Sequence, residues 1–183
     1  MAATPAMEPS TRPATAGDVP TILDLEASGF GRDSYPIEVG FVLPDGTGFC
    51  TLIRPAPGWT HWDPAAEQVH HIQRDALQQH GRSVLEVARL LNDHLKGRTV
   101  FSDGWAHDYP WLWALYDEAG LVPSFKLDSL RSLLTEREER DWETTRELVS
   151  RDMKGQRHRA SADARMLQST LVRLRSEAST ALA

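Results

Sequence analysis

The segment SYPIEVGFVLPDGTGFCTLIRP, residues 34–55, constrains the fold of this chain more than any other. Two runs rich in β-branched and aromatic residues, about 36–43 and 48–54, are separated by the turn sequence PDG. This pattern predicts a β-hairpin, because Pro, Asp and Gly favour a turn between two strands. The chain is therefore expected to form a sheet near its start, which later elements have to cover.

Strand and helix patterns alternate along the rest of the chain. VPTILDLEASG, residues 19–29, is a short apolar run that predicts a buried strand. Apolar residues at helical spacing predict a helix from Ser83, a suitable N-cap, to Leu95. This order predicts a mixed α/β domain whose sheet is covered by helices. The other expected elements are a short helix at Pro64–His71, a strand at 98–103, a helix at 108–119 that Gly120 ends, a strand at 125–130, and helices at 139–150 and 160–178.

Composition limits the classes to which the chain can belong. Its 183 residues suffice for one domain, and the single cysteine, Cys50, excludes a disulfide framework and fits the cytoplasm. No apolar run reaches the ~18 residues of a membrane span. The net charge of −6 argues against broad electrostatic binding to duplex nucleic acid. We expect a flexible N-terminal tail at residues 1–18, a single domain at 19–178 and a C-terminal tail at 179–183.

Asp24 and Glu26 lie near the end of the first predicted strand, in LDLEASG. Side chains alternate along a strand, so both carboxylates project from one face. Two like charges there repel each other and are costly to desolvate, whereas a cation between them reverses that cost. The pair therefore suits Mg²⁺ or Mn²⁺. A solvated strand end is the alternative interpretation of the pair taken alone.

Asp108 is a second candidate carboxylate, in the segment FSDGWAHDYPWLWAL. Asp103 ends the predicted strand before it, and Asp108 opens the predicted helix, with Pro110 in the first turn. A carboxylate at the start of a helix is stabilised by the helix dipole. Asp108 is therefore either a helix cap or a ligand.

HRASADA, residues 158–164, contains a histidine and an aspartate five positions apart. Five residues turn a helix by ~500°, which leaves His158 and Asp163 ~140° apart within one straight helix. They converge only if His158 precedes the helix, with Ser161 or a neighbour as its cap. The alanines between them leave room for a substrate or for close packing of helix on sheet. A surface histidine beside a first-turn aspartate is the alternative.

Together and in this order, the three motifs resemble the DEDDh family of 3′–5′ exonucleases, which includes RNase T, oligoribonuclease and polymerase proofreading subunits. That family has Asp-x-Glu at the end of its first strand, an Asp at a later helix start, and His-x-Ala-x-x-Asp. LDLEASG, HDYPWLWAL and HRASADA match these motifs, and PIEVGFV, EQVHHI and LDSL are similar to the segments between them. The resemblance covers about residues 19–175 and implies a ribonuclease H-like fold.

The resemblance also implies a site and a reaction. Asp24, Glu26, Asp108 and Asp163 would hold two divalent cations, Mg²⁺ or Mn²⁺, and His158 would be the general base in phosphodiester hydrolysis. The implied activity releases nucleoside monophosphates from the 3′ end of single-stranded DNA or short RNA. Members of the family are often dimers, so the resemblance also makes a homodimer an expectation.

Residues near the motifs are candidates for substrate binding. The resemblance assigns this role to Ala27, Ser28 and His70, and Arg157 would steer phosphates beside the active site. A solvated charge run is the alternative for the basic residues that precede the last motif. Those basic residues are Arg151, Lys154, Arg157 and Arg159.

Other features leave the substrate open. Trp59 and Trp62, in the predicted loop at 55–63, are candidates for stacking on bases. The chain has Ala-Ser-Gly after Glu26 where the family often has Thr-Gly, and His71 replaces a glycine.

Two other functions are compatible with parts of the sequence. A non-catalytic nucleic-acid-binding or accessory subunit would retain the fold, although such a protein is free to lose the motif residues that are present here. A sugar hydrolase would use two carboxylates around the scissile bond. The sugar-hydrolase hypothesis leaves His158 and Asp163 without a role.

Overall fold

A computed structural model of the protein describes residues 19–153 and 159–180, with side chains through residue 177. These residues form one five-stranded sheet, six α-helices and one 3₁₀ helix at Leu130–Leu133. The strands are β1 (Thr21–Ala27), β2 (Pro36–Val42), β3 (Gly48–Leu52), β4 (Thr99–Ser102) and β5 (Lys126–Ser129). The helices are α1 (Pro64–His70), α2 (Arg74–His80), α3 (Val84–Leu95), α4 (Trp105–Ala119), α5 (Glu136–Asp152) and α6 (Ala160–Thr180). Within these ranges no helix is long and apolar enough to cross a membrane.

The sheet is mixed, with the strand order β3-β2-β1-β4-β5. β2 and β3 pair antiparallel and form the predicted hairpin, and β1 is antiparallel to β2. β1, β4 and β5 run parallel to one another. The predicted class, an α/β fold with a mixed sheet covered by helices, is confirmed.

Alternation along β1 sends successive side chains into two layers. Leu23 packs with residues of α3 and α4 in one core cluster. Ile22 packs against Ala164 of α6 in another. Asp24 and Glu26 share the face of Ile22, because side chains two apart on a strand point the same way. The carboxylates of β1 therefore lie on the side of the sheet that α6 covers.

Capping residues determine where several helices begin and end. Ser83, the predicted N-cap of α3, forms a reciprocal capping box with Glu86. Gly120 ends α4 in the left-handed conformation, with φ of 63°. Thr135 forms a second capping box with Glu138, so α5 begins earlier than the predicted start at residue 139.

Two helices differ from the prediction. No sequence pattern predicts α2, since only Leu77 among its residues is buried and an apolar stripe is missing. α4 begins at Trp105 and not at residue 108. Pro110 consequently lies in the interior of the helix and not in its first turn. At an interior position, proline removes one intrahelical hydrogen bond.

Candidate active site

The carboxylates of Asp24 and Glu26 lie near the carboxyl end of the central strand. In the pairing of β1 with β2, Asp24 is opposite Gly40 and Glu26 is opposite Glu38. Residues that are directly opposite in an antiparallel pair share a face of the sheet. Two acids of β1 and one of β2 are therefore crowded beneath the start of α6.

Helix α6 brings Asp163 to this pair. Carboxylate oxygens of Asp24, Glu26 and Asp163 lie within 4.8 Å of one another. The close approach depends on Gly40, because a Cβ there would lie 2.2 Å from the amide nitrogen of Ser161. The small residues of HRASADA thus allow close packing of helix on sheet, which was one of the two predicted uses.

Asp108 approaches the same cluster from the first turn of α4. Its side chain is buried, and it accepts a hydrogen bond from the hydroxyl of Ser102 at the end of β4. Gly104 occupies the N-cap position, so Asp108 neither opens nor caps the helix. Its charge raises the pKa of Asp24, which means that the two groups are close enough to interact.

Burial and mutual repulsion raise the pKa values of the clustered carboxyls. Burial raises the pKa of Asp24 well above its usual value, and the charges of Asp108, Glu26 and Asp163 raise it further. Burial is also the main reason that the pKa of Glu26 is about 8 and that of Asp108 about 7. Without a counter-charge the cluster therefore retains protons near neutral pH. A compact set of carboxylate oxygens is the donor set that Mg²⁺ and Mn²⁺ prefer, so the residues present fit such ions.

Glu38 holds the start of α6 against the sheet. Its side chain is fully buried, and its carboxylate accepts hydrogen bonds from Nε of Arg159 (2.8 Å) and from the amide of Ala160 (2.9 Å). The predicted cap, Ser161, lies inside the helix, and a carboxylate from β2 satisfies the first helical amide instead. This role was not predicted from the sequence, although the single glutamate within the apolar run PIEVGFV is a signal that could have indicated it.

A cavity of about 250 Å³ adjoins the carboxylates on the side of α1 and α4. Ala27 and His70, both candidates for substrate binding, line it. The Nδ1 atom of His70 accepts a hydrogen bond from the Ile72 amide (3.0 Å), so neutral His70 carries its proton on Nε2. Phe30, which is 67% exposed, and Trp111 line the same cavity. Phe30 was not predicted as part of the site, because a lone aromatic residue between two glycines gives no periodic signal.

Ser28, another candidate for substrate binding, makes hydrogen-bonding contacts within the protein. Its side chain is buried, and its hydroxyl is 3.0 Å from Nδ1 of His61. The same hydroxyl accepts a hydrogen bond from the amide of Tyr35 (3.1 Å). The bond between Ser28 and Tyr35 therefore joins the two ends of the loop that connects β1 to β2.

Both loop tryptophans make contacts within the protein. Trp59 stacks on Tyr35 with ring centroids 5.1 Å apart, and Nε1 of Trp62 donates a hydrogen bond to Glu67 (2.7 Å). Both rings also pack against a buried cluster that includes Ile72. These contacts account for the two residues without a bound strand.

The predicted base and one predicted phosphate contact belong to the segment between α5 and α6. His158 and Arg157 lie outside the described residues, as does Lys154. Of the basic residues near them, Arg151 pairs with Glu147 on the surface of α5 (3.4 Å), and Arg159 pairs with Glu38. A solvated ion pair thus explains Arg151, and a structural contact explains Arg159.

The ribonuclease H-like arrangement of sheet and helices is shared with exonucleases of known structure. E. coli exonuclease I in complex with a dA16 oligonucleotide aligns with a TM-score of 0.66 at 13% identity, over 85% of this chain and 41% of that chain. Exonuclease I from Methylocaldum szegediense aligns with a TM-score of 0.64 at 14% identity, over 85% of this chain and 40% of that chain. A zinc-bound complex of the E. coli enzyme with single-stranded DNA aligns with a TM-score of 0.66 at 13% identity. That alignment covers 85% of this chain and 41% of that chain.

These similarities concern the fold. The chain spans less than half the length of the exonuclease I chains that it matches. No protein-family model matches the sequence, and no curated protein does.

Proposed function

We propose that the protein is a metal-dependent 3′–5′ exonuclease of the DEDDh type that acts on single-stranded DNA or short RNA. One observation carries the proposal: the carboxylate oxygens of Asp24, Glu26 and Asp163 lie within 4.8 Å of one another. The buried carboxyl of Asp108 adjoins them. The shared fold with exonuclease I, which has been solved with DNA oligonucleotides, supports the same reaction class.

The four carboxylates would hold two divalent cations, Mg²⁺ or Mn²⁺. When bound, such ions supply Lewis acidity and offset the negative charge that develops at the phosphate. Asp24, Glu26 and Asp163 form the compact part of the donor set, and Asp108 extends it from α4. The Ser102 hydroxyl, which donates to Asp108, orients that carboxylate toward β1.

His158 is proposed as the general base, since imidazole side chains ordinarily titrate near neutral pH. A ring nitrogen takes the proton of the attacking water while the water oxygen bonds to phosphorus. The bond from phosphorus to the 3′ oxygen of the preceding nucleotide then breaks, and that oxygen takes a proton from solvent. The products are a nucleoside monophosphate and a strand that is shorter by one nucleotide.

The terminal nucleotide is proposed to occupy the cavity beside α1. Phe30 and Trp111 provide faces for stacking on its base or sugar, and Ala27 leaves space for it. His70 offers its Nε2 proton to an oxygen of the nucleotide. Arg157 is proposed to steer phosphates toward the site.

Nuclease assays with labelled strands test the proposal. The wild-type protein, incubated with a 5′-labelled single strand and Mg²⁺ or Mn²⁺, should give a ladder that shortens from the 3′ end, and EDTA should stop it. A 3′-labelled strand should release labelled mononucleotide first. If neither DNA nor RNA is degraded with either metal while the strand still binds, the protein is the accessory subunit and not the enzyme.

A further inference from the structure

Three exposed aromatic residues follow one another along α4. Trp105, Tyr109 and Trp113 are 39%, 45% and 54% exposed, and they are spaced four residues apart. Their ring centroids are 5.4 Å apart between Trp105 and Tyr109, and 6.4 Å apart between Tyr109 and Trp113. The last two rings are nearly parallel, with an interplanar angle of 6°. We call these three residues the aromatic ladder.

The aromatic ladder forms one wall of a groove of about 640 Å³. The opposite wall comes from Val122 and Pro123, which precede the edge strand β5, and from Lys126, the first residue of that strand. Val122 is 72% exposed, so this wall is also open to solvent. Apolar surface that is left open beside a cleft commonly marks a binding site.

The groove begins next to the carboxylate site. Asp24 and Glu26 line a second cavity, on the side of α5 and α6, in addition to the one beside α1. Gly104 lines both cavities, and the next residue, Trp105, is the first ring of the aromatic ladder. From there the rings continue along α4, away from the carboxyl ends of the parallel strands. A ligand whose end lies in the carboxylate site can therefore extend onto the aromatic ladder.

The described cations near this path leave little charge for phosphates. Lys126 in the groove is 2.7 Å from Asp128, and Arg146 beside the carboxylates is 2.8 Å from Glu143. The chain as a whole carries a net charge of −6. A nucleic-acid strand would therefore have to be held mainly by its bases, for which exposed aromatic faces are suited.

We propose that the aromatic ladder binds the bases of a single strand upstream of its 3′ end. This inference rests on the proposed function, which places the 3′ end among the carboxylates. The spacing of the rings is of the order of the separation between successive nucleotides in an extended strand, so neighbouring bases stack on neighbouring rings. Stacking does not distinguish one base from another, so the binding is insensitive to sequence.

Binding can be measured apart from cleavage. Fluorescence anisotropy with a labelled strand of about 15 nucleotides, in EDTA, reports affinity without turnover. Trp113→Ala should weaken binding about 5- to 100-fold, as expected for the loss of one stacked base. Trp113→Phe should restore most of the affinity, because it keeps an aromatic face. Leu148→Ala, which removes an exposed apolar side chain from α5, should leave binding unchanged.

A second comparison separates this inference from the proposed function. With a dinucleotide substrate, which is too short to span the aromatic ladder, Trp113→Ala should retain wild-type kcat/KM, whereas long strands should show a higher KM. The affinity for the long strand should also fall only slightly with salt, because few phosphates are contacted. If Trp113→Ala loses affinity for the strand while the wild type shows no nuclease activity, the aromatic ladder binds the strand as proposed. The proposed exonuclease function would then be refuted.

Other outcomes overturn the inference. Equal losses on the dinucleotide and on the long strand would place Trp113 in the catalytic machinery. Unchanged affinity for the long strand in Trp113→Ala would show that strands do not contact the aromatic ladder. If Trp113→Ala instead converts a dimer to a monomer in sedimentation while strand binding is retained, the groove is a contact between copies of the chain.

Discussion

Nη2 of Arg159 lies 2.6 Å from Oε1 of the buried Glu38, a contact that joins two residues 121 positions apart. Glu38 belongs to β2 and is directly opposite Glu26, whereas Arg159 directly precedes α6. The other carboxylate oxygen of Glu38 accepts from the Ala160 amide. This contact fixes where α6 meets the sheet and therefore where its first-turn residue Asp163 lies.

Removing the Glu38 carboxylate should loosen the start of α6. Glu38→Ala leaves the Ala160 amide without its acceptor and opens a cavity in the sheet, so we expect a loss of about 2–4 kcal/mol in the free energy of unfolding. Glu38→Gln keeps the shape and one acceptor and should lose less. Urea denaturation measures both. Arg151→Ala, which breaks only an exposed pair, is the control and should change stability by less than about 0.5 kcal/mol; if Glu38→Ala is as mild, the anchoring role is refuted.

Gly40 should not tolerate a side chain. A Cβ at this position would lie 2.2 Å from the Ser161 amide nitrogen and 2.5 Å from the carbonyl carbon of Ala160, so α6 would have to move. We expect Gly40→Ala to cost about 1–3 kcal/mol and to weaken Mn²⁺ binding, measured by calorimetry, because Asp163 moves with the helix. Gly58→Ala is the matched control, since its Cβ meets no atom within 4 Å. Wild-type metal affinity in Gly40→Ala would contradict the proposed coupling.

The metal-free protein should lose stability as the pH rises. Folding raises the pKa of Glu26 from its usual value near 4.5 to about 8 and that of Asp108 to about 7. At a pH between the unfolded and the folded pKa of each group, the folded state holds a proton that the unfolded chain has released. The free energy of unfolding therefore decreases from roughly pH 5 to pH 8. In EDTA, Tm should fall by several degrees over this range. Mg²⁺ or Mn²⁺ should reverse most of the fall, because cations bind the deprotonated groups.

Glu26→Gln provides the control for the pH dependence. Glutamine does not titrate, so the slope of Tm against pH in EDTA should become shallower in this variant. An unchanged slope would mean that Glu26 is not one of the groups responsible.

His158→Ala should slow turnover without removing the metal site. The loss of a general base typically costs 10²- to 10⁴-fold, and we expect a decrease of about that size in kcat. Mn²⁺ affinity should stay close to that of the wild type, since His158 is proposed to act on water and not as a ligand. A large loss of metal affinity in this variant would instead make His158 a ligand.

The strands and the first pair of acids follow from local sequence. Alternation alone places Asp24 and Glu26 on one face, and the turn sequence PDG predicts the hairpin. Ser83 and Gly120 mark ends of helices through capping that depends on nearby residues only. Such features are predictable because the interactions that determine them span few residues.

Features that depend on distant contacts could not be predicted. The role of Glu38 requires Arg159, which is brought near by the packing of α6 on β2. α2 has a single buried residue, Leu77, and so lacks the apolar stripe that marks a helix. The early start of α4 depends on Gly104, whose backbone begins the helix without a capping side chain. Tertiary packing therefore determines the role of Glu38, whereas α2 and the start of α4 lack the apolar stripe or the capping side chain that would mark them in the sequence.

The central claim, that the clustered carboxylates form a hydrolytic metal centre, is tested most directly by the rate of 3′ shortening of a labelled single strand in Mn²⁺. The comparison is between wild type, Asp163→Asn and Asp141→Asn, the last an equal change at an exposed position of α5. We predict that Asp163→Asn reduces the rate by at least ~10²-fold while Asp141→Asn stays within about twofold of the wild type. Equal rates for all three proteins would contradict the account.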